Sequence, residues 1–237
     1  MQIPSTLLAP GLSSPLQWSN FKLIAFDMDS TLINIECIDE LAKEAGVGGE
    51  VVRITEATMR GEIKDFKESL RARVALLRGL PLEALERVYR ERLQLNPGVK
   101  TWVRACQHHG LRTVLVSGGF TFFADRICKE LNIDFSRSNA LAYHEGCLTG
   151  ELLPQAWGDI CDGEEKKKML QECCSQLGVS LSEAIAVGDG ANDLPMMQAA
   201  NAAGGLSVAY HAKPAVKAQA MVSVESAGMD ELLHLFA

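Results

Sequence analysis

The sequence has little of what marks nucleic-acid-binding or membrane proteins. Its 23 Lys and Arg residues are outnumbered by 30 Asp and Glu residues, so the net charge of −7 predicts no basic surface for nucleic acid. No apolar run approaches the ~18 residues that a membrane-spanning helix needs. An acidic protein can still bind an anionic molecule through a few local cations or a metal ion. The expected partner is therefore a small molecule, with neither nucleic acid nor membrane.

Disulfide frameworks and zinc sites are not expected either. The seven cysteines are an odd number and show no CxxC spacing, which favours reduced thiols. Reduced thiols are typical of the cytoplasm, and the first residues lack the basic start and apolar core of a secretion signal. The predicted location is cytoplasmic. Composition does not decide between a monomer and a homodimer.

Three short apolar runs indicate the fold class. Residues 22–26, 113–119 and 184–190 read as buried strands, each ends in Asp, Ser or Gly, and helical patterns separate them. With 237 residues and 47% hydrophobic content, the chain can bury a large core around such strands. The alternation predicts an α/β fold with a doubly wound, mainly parallel sheet, whose site lies beyond the carboxyl ends of the strands.

One stretch interrupts this alternation. Residues 36–95 contain apolar residues at helical spacing, as in "ECIDELAKEAG" and "DFKESLRARVALLRG", and no strand pattern. We predict that they form a small helical cap inserted into a core of residues 1–35 and 96–237. Residues 1–20, which contain several Pro, Ser and Gly, are expected to be a leader or a covering arm. Turn residues within 139–153 predict a hairpin excursion of the core.

Carboxylates gather at the ends of two predicted strands. "FDMDSTLINIE" places Asp27 and Asp29 two residues apart, so both face one side if the extended backbone continues. Like charges this close repel unless a proton or a hard divalent cation lies between them. "GDGANDLPMM" adds Asp189 and Asp193 after a later strand. Each pair alone also fits a turn or a helix cap, but two pairs at one sheet edge favour a metal site.

Phosphate-binding groups follow the remaining predicted strand. Ser117, Gly118 and Gly119 offer a hydroxyl and unobstructed backbone N–H groups before a helix, although most such triplets are simple turns. "EEKKKML" adds lysines, which usually cover a solvated helix face but can also reach a phosphate. Carboxylates, a cation, phosphate donors and a lysine together predict phosphoryl transfer.

The four motifs DxDST, SGG, a lysine and GDGxND, in this order, resemble the haloacid dehalogenase superfamily of phosphatases. The resemblance covers most of the chain, and it is closest to members that act on phosphoserine. It implies Mg²⁺-dependent hydrolysis of O-phospho-L-serine to L-serine and phosphate through an aspartyl phosphate, the last step of L-serine biosynthesis. Ion-pumping ATPases of this superfamily carry threonine at the position of Asp29, where an acid/base residue favours hydrolysis.

The resemblance also implies roles for single residues. Asp27 is the nucleophile, and Asp29 protonates the leaving oxygen and then activates water. Mg²⁺ is held by the Asp27 carboxylate, the Asp29 backbone carbonyl and Asp189, while Asp193 supports the ion or its waters. The residues expected to bind or position the phosphoryl group are Ser117, Gly118, Gly119, Lys166 and Asn192. Lys166 is preferred to its neighbours Lys167 and Lys168 because it lies four residues before a leucine, as in the relatives.

Substrate recognition is assigned to the predicted cap. At about 100° per residue, Arg73 projects within roughly 20° of Phe66, in the middle of the apolar stripe. Such an arginine can snorkel to solvent or pair with a buried acid. The resemblance implies instead that Arg73 binds the substrate carboxylate, with Met59 and Phe66 lining the pocket. Glu36 fits a helix start, and the resemblance implies that it binds the substrate ammonium.

Two other functions remain open at this stage. One is a related small-metabolite phosphatase, or a phosphotransferase that acts on homoserine or another acceptor. The other is a non-catalytic regulatory binder built on the same fold. Substrate profiling separates the first from phosphoserine hydrolysis, and the intact pair of Asp27 and Asp29 argues against the second.

Overall fold

A computed structural model describes residues 6–9, 12, 14–60, 62–63 and 65–237, apart from the side chains of residues 6, 7 and 59. The strands of these residues are β1 (Thr6–Leu8), β2 (Leu23–Phe26), β3 (Arg112–Phe120), β4 (Phe135–His144), β5 (Cys147–Leu153), β6 (Ala184–Gly188), β7 (Leu206–Tyr210) and β8 (Val222–Val224). Together they form one sheet in the order β1-β8-β7-β6-β2-β3-β4-β5. Neighbouring strands are parallel from β8 to β4, and the outermost strands β1 and β5 pair antiparallel.

Strand β2 occupies the middle of the sheet because its side chains are apolar on both faces. All of its residues are fully buried. Ile24 and Phe26 pack into one hydrophobic cluster, while Leu23 and Ala25 pack into a second cluster on the opposite face. Helices cover both faces of the sheet, so the predicted doubly wound α/β class is confirmed.

The helices of the described residues are α1 (Cys37–Glu44), α2 (Gly48–Met59), α3 (Phe66–Ala75), α4 (Leu82–Glu91), α5 (Val99–His108), α6 (Thr121–Leu131), α7 (Gly163–Leu177), α8 (Leu194–Ala203) and α9 (Pro214–Lys217). Helices α5 and α6 contribute to the first cluster, and α7 and α8 to the second. Among the residues that the structure describes, none of these helices is both long and apolar enough to cross a membrane.

Helices α1 to α4 lie between β2 and α5, in the stretch predicted as a cap. Asp65 begins α3 by accepting a hydrogen bond from the backbone N–H of Lys67, and Gly79 beyond this helix has a φ of 84°. The two chain connections of the stretch lie side by side because Ile33 pairs with Leu95. The limits 36–95 and the independence of the cap stay a prediction.

Asn96 fastens the two connections together. Its side-chain Nδ2 donates to the carbonyl oxygens of Ser30, Thr31 and Ile33 at 3.3, 2.9 and 3.0 Å. These carbonyls belong to the loop that follows Asp27. The same hydrogen bonds therefore attach the helical stretch to the core and stabilise this acidic loop. Asn96 is also the residue at which the predicted core segment 96–237 begins.

The chain order places three strand ends together. From β2 the chain moves outward to β3 and β4, and it later returns to β6 on the other side of β2. The carboxyl ends of β3, β2 and β6 are therefore neighbours at the point where the strand order reverses, the usual ligand site of open α/β sheets. This topology brings the three predicted motifs to one edge.

Two peripheral segments extend the sheet. The stretch expected to be a leader includes β1, which pairs with β8 at one edge. At the other edge, the predicted hairpin of residues 139–153 covers the second half of β4 and all of β5. Its turn consists of Glu145 and Gly146, with φ of 49° and 78°, as a two-residue type I′ hairpin requires.

Candidate active site

Residues from the three strand ends and from the helical stretch surround one cavity of about 700 Å³. Asp27 directly follows β2, and its backbone N–H continues the ladder by donating to the carbonyl of Val187 at 2.9 Å. Ser117 lies in β3, and Asp189 directly follows β6. The cavity therefore opens at the carboxyl edge of the sheet, where the sequence predicts the site.

Three carboxylates converge in this cavity wall. Asp27, Asp189 and Asp193 each offer an oxygen, and these oxygens lie within 4.8 Å of one another. Burial raises the pKa of Asp27 well above its usual range, and the negative charges of Asp193 and Asp189 raise it further. Burial, followed by the charge of Asp193, raises the pKa of Asp189 to about 7. A group of hard oxygen donors whose charges repel one another is consistent with a metal site.

Lys166 provides the positive charge next to these carboxylates. Its Nζ lies 2.6 Å from Asp27 Oδ1 and 2.7 Å from Asp193 Oδ1, and its side chain is completely buried. Burial disfavours the charged ammonium, but the two carboxylates outweigh it and raise the pKa of Lys166 above its usual value. A buried charge is tolerated only with such partners.

The helix geometry of α7 distinguishes Lys166 from the adjacent lysines. Lys167 pairs with Glu164 at 3.2 Å near the surface. Lys168, which is half exposed, lies 3.8 Å from Glu165. Successive residues differ by about 100° around a helix, so only one of the three can face the sheet edge.

Asp193 orders the loop after β6 and is already fully engaged. Its Oδ1 accepts from Lys166, and its Oδ2 accepts from the backbone N–H groups of Asp189 and Gly190 at 3.1 and 2.9 Å. A Cβ at Gly188 would collide with this carboxylate, which explains the glycine there. Asp193 thus supports the loop, while Asp27 and Asp189 line the cavity. Its predicted role of supporting the ion or its waters stays a prediction.

The Asp29 carboxylate lies outside the group of three. Its Oδ2 accepts from the backbone N–H of Cys37 at 3.3 Å, and its buried Oδ1 has no hydrogen-bond partner among the described residues. Burial, followed by the charge of Glu36, raises the pKa of Asp29 to about 7. This carboxyl can therefore exchange a proton near neutral pH. The predicted metal ligand at this residue is its backbone carbonyl, and that role stays a prediction.

The Ser-Gly-Gly motif, here called the Ser-Gly-Gly turn, is the irregular part of β3 between Val116 and Phe120, and it lines the cavity. The backbone N–H of Gly119 donates to Ser117 Oγ at 2.9 Å. A Cβ at Gly118 would lie 3.0 Å from the ring of Phe66, and a Cβ at Gly119 would lie 3.1 Å from Asp29 Oδ2. Glycine at both positions therefore allows the turn to approach the helical stretch and the acidic loop closely.

The helical stretch contributes a carboxylate, Glu36, and a guanidinium, Arg73, to the cavity lining, which we call the helical wall. Glu36 precedes α1 and accepts a 2.6 Å hydrogen bond from the hydroxyl of Ser30. Burial lowers the pKa of Arg73, although the charges of Asp39 and Glu36 oppose this effect. Within the described part of the chain, no carboxylate lies within 4.0 Å of the Arg73 guanidinium; its Nε donates to the carbonyl of Ser69 at 3.3 Å. The largely buried Arg73 cation thus lacks a close ion pair among the residues that the structure describes.

The other predicted residues are also accounted for. Phe66 begins α3 and lines the cavity, as does Asn192 in the turn before α8. Met59 ends α2, but its side chain lies outside the described residues. The structure thus brings the predicted residues around one cavity, with three exceptions. The side chain of Met59 is not described, and Lys166 and Asp193 are buried behind Asp27 and do not line the cavity.

The sequence analysis missed three residues in or next to the cavity lining. Asp39 follows Glu36 by three residues, one helical turn along α1, and that spacing was a usable signal. Thr31, whose Oγ1 donates to Asp189 Oδ1 at 3.2 Å, is the last residue of the DxDST motif. Lys213 lines the cavity from the loop after β7, a strand that the sequence analysis did not predict.

Fold and site together define a hydrolase of the doubly wound α/β class, with acidic residues and a lysine at the switch point of the sheet. The chain belongs to the haloacid dehalogenase-like hydrolases, whose family model matches residues 24–198. The resemblance noted in the sequence is thereby confirmed.

Individual relatives and solved structures match nearly the whole chain. The phosphoserine phosphatase of Polaromonas sp. is 61% identical over 235 residues, which cover 97% of this chain and 98% of that protein. The phosphoserine phosphatase of Albidiferax ferrireducens is 58% identical over 236 residues, 98% of each chain. A solved phospho-aspartyl intermediate analogue of phosphoserine phosphatase matches with a TM-score of 0.81 at 37% identity, covering 92% of this chain and 99% of that one.

Proposed function

We propose that this protein hydrolyses O-phospho-L-serine to L-serine and phosphate. One observation carries the proposal: a single cavity presents Asp27 with Lys166 behind it at one wall, and Glu36 and Arg73 at another. Phosphoserine carries a phosphate, an ammonium and a carboxylate. The phosphate suits the wall formed by Asp27 and Lys166, which we call the core wall. The ammonium suits Glu36, and the carboxylate suits Arg73.

The chemistry follows from the roles of two carboxyl groups. The Asp27 carboxylate attacks phosphorus, a bond from Asp27 to phosphorus forms, and the bond between phosphorus and the serine oxygen breaks. The leaving oxygen takes the proton of Asp29. Asp29 then accepts a proton from water as the water attacks the aspartyl phosphate, which releases phosphate and restores Asp27. A pKa of about 7 lets Asp29 both donate and accept.

The acidic group fits Mg²⁺, since clustered carboxylate oxygens are the donors that this ion prefers. Asp27 and Asp189 would hold it together with the backbone carbonyl of Asp29. When bound, it supplies positive charge that offsets the repulsion between these carboxylates and the phosphoryl oxygens. The charge of Lys166 opposes the effect of burial on the pKa of Asp27, and its hydrogen bond orients the Asp27 carboxylate. Ser117, the backbone N–H of Gly118 and Asn192 bind the phosphoryl oxygens, while Gly119 positions the Ser117 hydroxyl through its own N–H.

Recognition of the serine part rests on Glu36 and Arg73, which the helical stretch contributes to the cavity. Arg73 binds the substrate carboxylate, because its guanidinium is largely buried and lacks a close carboxylate within the described residues. Glu36 binds the ammonium, and the Ser30 hydroxyl fixes its orientation. We place the reaction as the last step of L-serine biosynthesis. The seven cysteines are free, which fits the reducing cytoplasm.

Phosphate release from four substrates tests the proposal. O-Phosphoserine, phosphothreonine, phosphohomoserine and phosphoglycolate are compared with Mg²⁺ and with a chelator. Fastest release from phosphoserine, lost with the chelator, is expected. Preference for phosphohomoserine would indicate the related phosphatase or phosphotransferase instead. No release from any of the four, by folded protein with Mg²⁺, would favour a non-catalytic binder.

A further inference from the structure

A buried asparagine connects the Ser-Gly-Gly turn to the segment before α7. Asn139 on β4 is only 1% exposed. Its Nδ2 donates to the carbonyl of Gly118 at 2.8 Å, and its Oδ1 accepts from the backbone N–H of Cys161 at 2.8 Å. One partner is an acceptor and the other a donor, so a single orientation of the amide satisfies both.

The sheet needs this side chain because its ladder is interrupted there. Val116 pairs with Arg137, and the next registered pair is Phe120 with Asn139. Four steps along β3 thus correspond to two along β4, and residues 117–119 bulge out of the ladder. A buried carbonyl in such a bulge requires another donor, and the Asn139 amide supplies it to Gly118.

The orientation of this carbonyl determines the orientation of its peptide group. In a trans peptide the carbonyl of Gly118 and the N–H of Gly119 point in opposite directions. With the carbonyl held by Asn139, the N–H points to Ser117 Oγ, which it reaches at 2.9 Å. Because Ser117 Oγ accepts this bond, its own hydroxyl hydrogen stays available for another acceptor. The bonds form a chain from Asn139 through the peptide to the Ser117 hydroxyl.

We propose that Asn139 is a positioning residue for phosphoryl binding: it aligns the peptide that makes the Ser117 hydroxyl donate to a phosphoryl oxygen. This inference rests on the proposed function, in which Ser117 contacts the phosphoryl group. Asn139 itself lies outside the residues that line the cavity, so it acts through Gly118, Gly119 and Ser117.

The first test replaces the amide nitrogen of Asn139 by an oxygen. Asn139→Asp keeps the acceptor for Cys161 but removes the donor to Gly118. We expect the inhibition constant of inorganic phosphate to rise about 10- to 100-fold and kcat/KM for phosphoserine to fall comparably, as when other supporting hydrogen bonds are lost. The inhibition constant of L-serine should stay within about twofold, because serine contacts Glu36 and Arg73. Unchanged phosphate affinity, or equal losses for phosphate and serine, would overturn the proposal.

A matched control carries the same substitution elsewhere. Asn201 also donates from Nδ2 to a backbone carbonyl, that of Gln219 at 3.1 Å, but it lies at the far end of α8 and outside the cavity lining. Asn201→Asp should leave both inhibition constants unchanged. Circular dichroism verifies folding of each variant. If Asn139→Asp is not folded, Asn139→Ala is measured with the same expected and contradicting results.

A double-mutant cycle tests the route through Ser117. In a Ser117→Ala background, Asn139→Asp should change the phosphate inhibition constant by less than about threefold, because the hydroxyl that it aligns is already absent. A full additional loss would show that Asn139 acts elsewhere. Calorimetric titration of the Mg²⁺-loaded protein with inorganic phosphate gives the same comparison without turnover. It therefore tests Asn139 even if the wild-type protein fails to hydrolyse phosphoserine, the result that would refute the proposed function.

Discussion

The two walls of the cavity differ in how completely their polar groups are bonded. At the sheet edge, Asp27, Asp193 and Lys166 hold one another through hydrogen bonds of 2.6 and 2.7 Å. On the helical wall, Glu36 accepts a hydrogen bond from the Ser30 hydroxyl, and among the described residues the Arg73 guanidinium reaches only the backbone carbonyl of Ser69. The core wall is therefore organised before any ligand arrives, as chemistry requires. The helical wall keeps bonding capacity for the groups that identify the substrate.

Replacing the proposed nucleophile tests the core wall most severely. Asp27→Asn should lower kcat by at least about 10³-fold, because a neutral amide cannot form the phosphoenzyme. Phosphate release measures the loss, and circular dichroism should remain native. Asp159→Asn, at an exposed ion pair with Arg71, is the control. Normal turnover of Asp27→Asn would assign the nucleophile to another residue.

Removing the buried cation should affect both rate and stability. Lys166→Met leaves Asp27 and Asp193 buried without their counter-charge, so we expect a ~10²-fold lower kcat and about 3 kcal/mol less stability in urea unfolding. Lys167→Met, next to it on the surface of α7, should change stability by no more than about 0.5 kcal/mol. Similar effects of the two variants would contradict the distinct role of Lys166.

Changing the helical wall should alter binding more than chemistry. Arg73→Ala is expected to raise KM for phosphoserine about 100-fold, while kcat changes only about threefold, because the lost contact is equally present in the ground and transition states. Arg71→Ala, two residues away on the same helix and paired with Asp159, should behave like wild type. If kcat of Arg73→Ala falls as strongly as kcat/KM, the division between the two walls is wrong.

The smallest effect concerns a support of the acidic group. Thr31 is fully buried and donates to Asp189 Oδ1. Thr31→Val retains the shape but removes this hydrogen bond, so the Mg²⁺ concentration for half-maximal activity should rise about tenfold. Thr55→Val, which loses a bond to the Val51 carbonyl on the helical wall, should leave that concentration unchanged. An unaltered Mg²⁺ requirement in Thr31→Val would exclude a supporting role for Thr31.

Local sequence patterns were sufficient for the elements that carry the chemistry. Strands β2, β3 and β6 are apolar runs that lead into Asp27, Ser117 and Asp189, and each lies within one or two residues of its prediction. Strands β1, β7 and β8 were missed, because short strands with mixed composition have no distinctive period. As a result Lys213, in the loop after β7, was not predicted to line the cavity.

The sequence by itself determined which chemical groups follow which strands, because alternation along a strand and strand termination are local properties. Only the tertiary structure decided how those groups pair. It selected Lys166 from three adjacent lysines, directed both Asp193 oxygens into the core wall, and placed Asn139 behind Gly118. The contacts of Lys166 with Asp193 and of Asn139 with Gly118 join residues more than 20 positions apart. The bond between Gly190 and Asp193 depends on the direction in which one carboxylate oxygen points. Neither property is encoded in spacing along the chain.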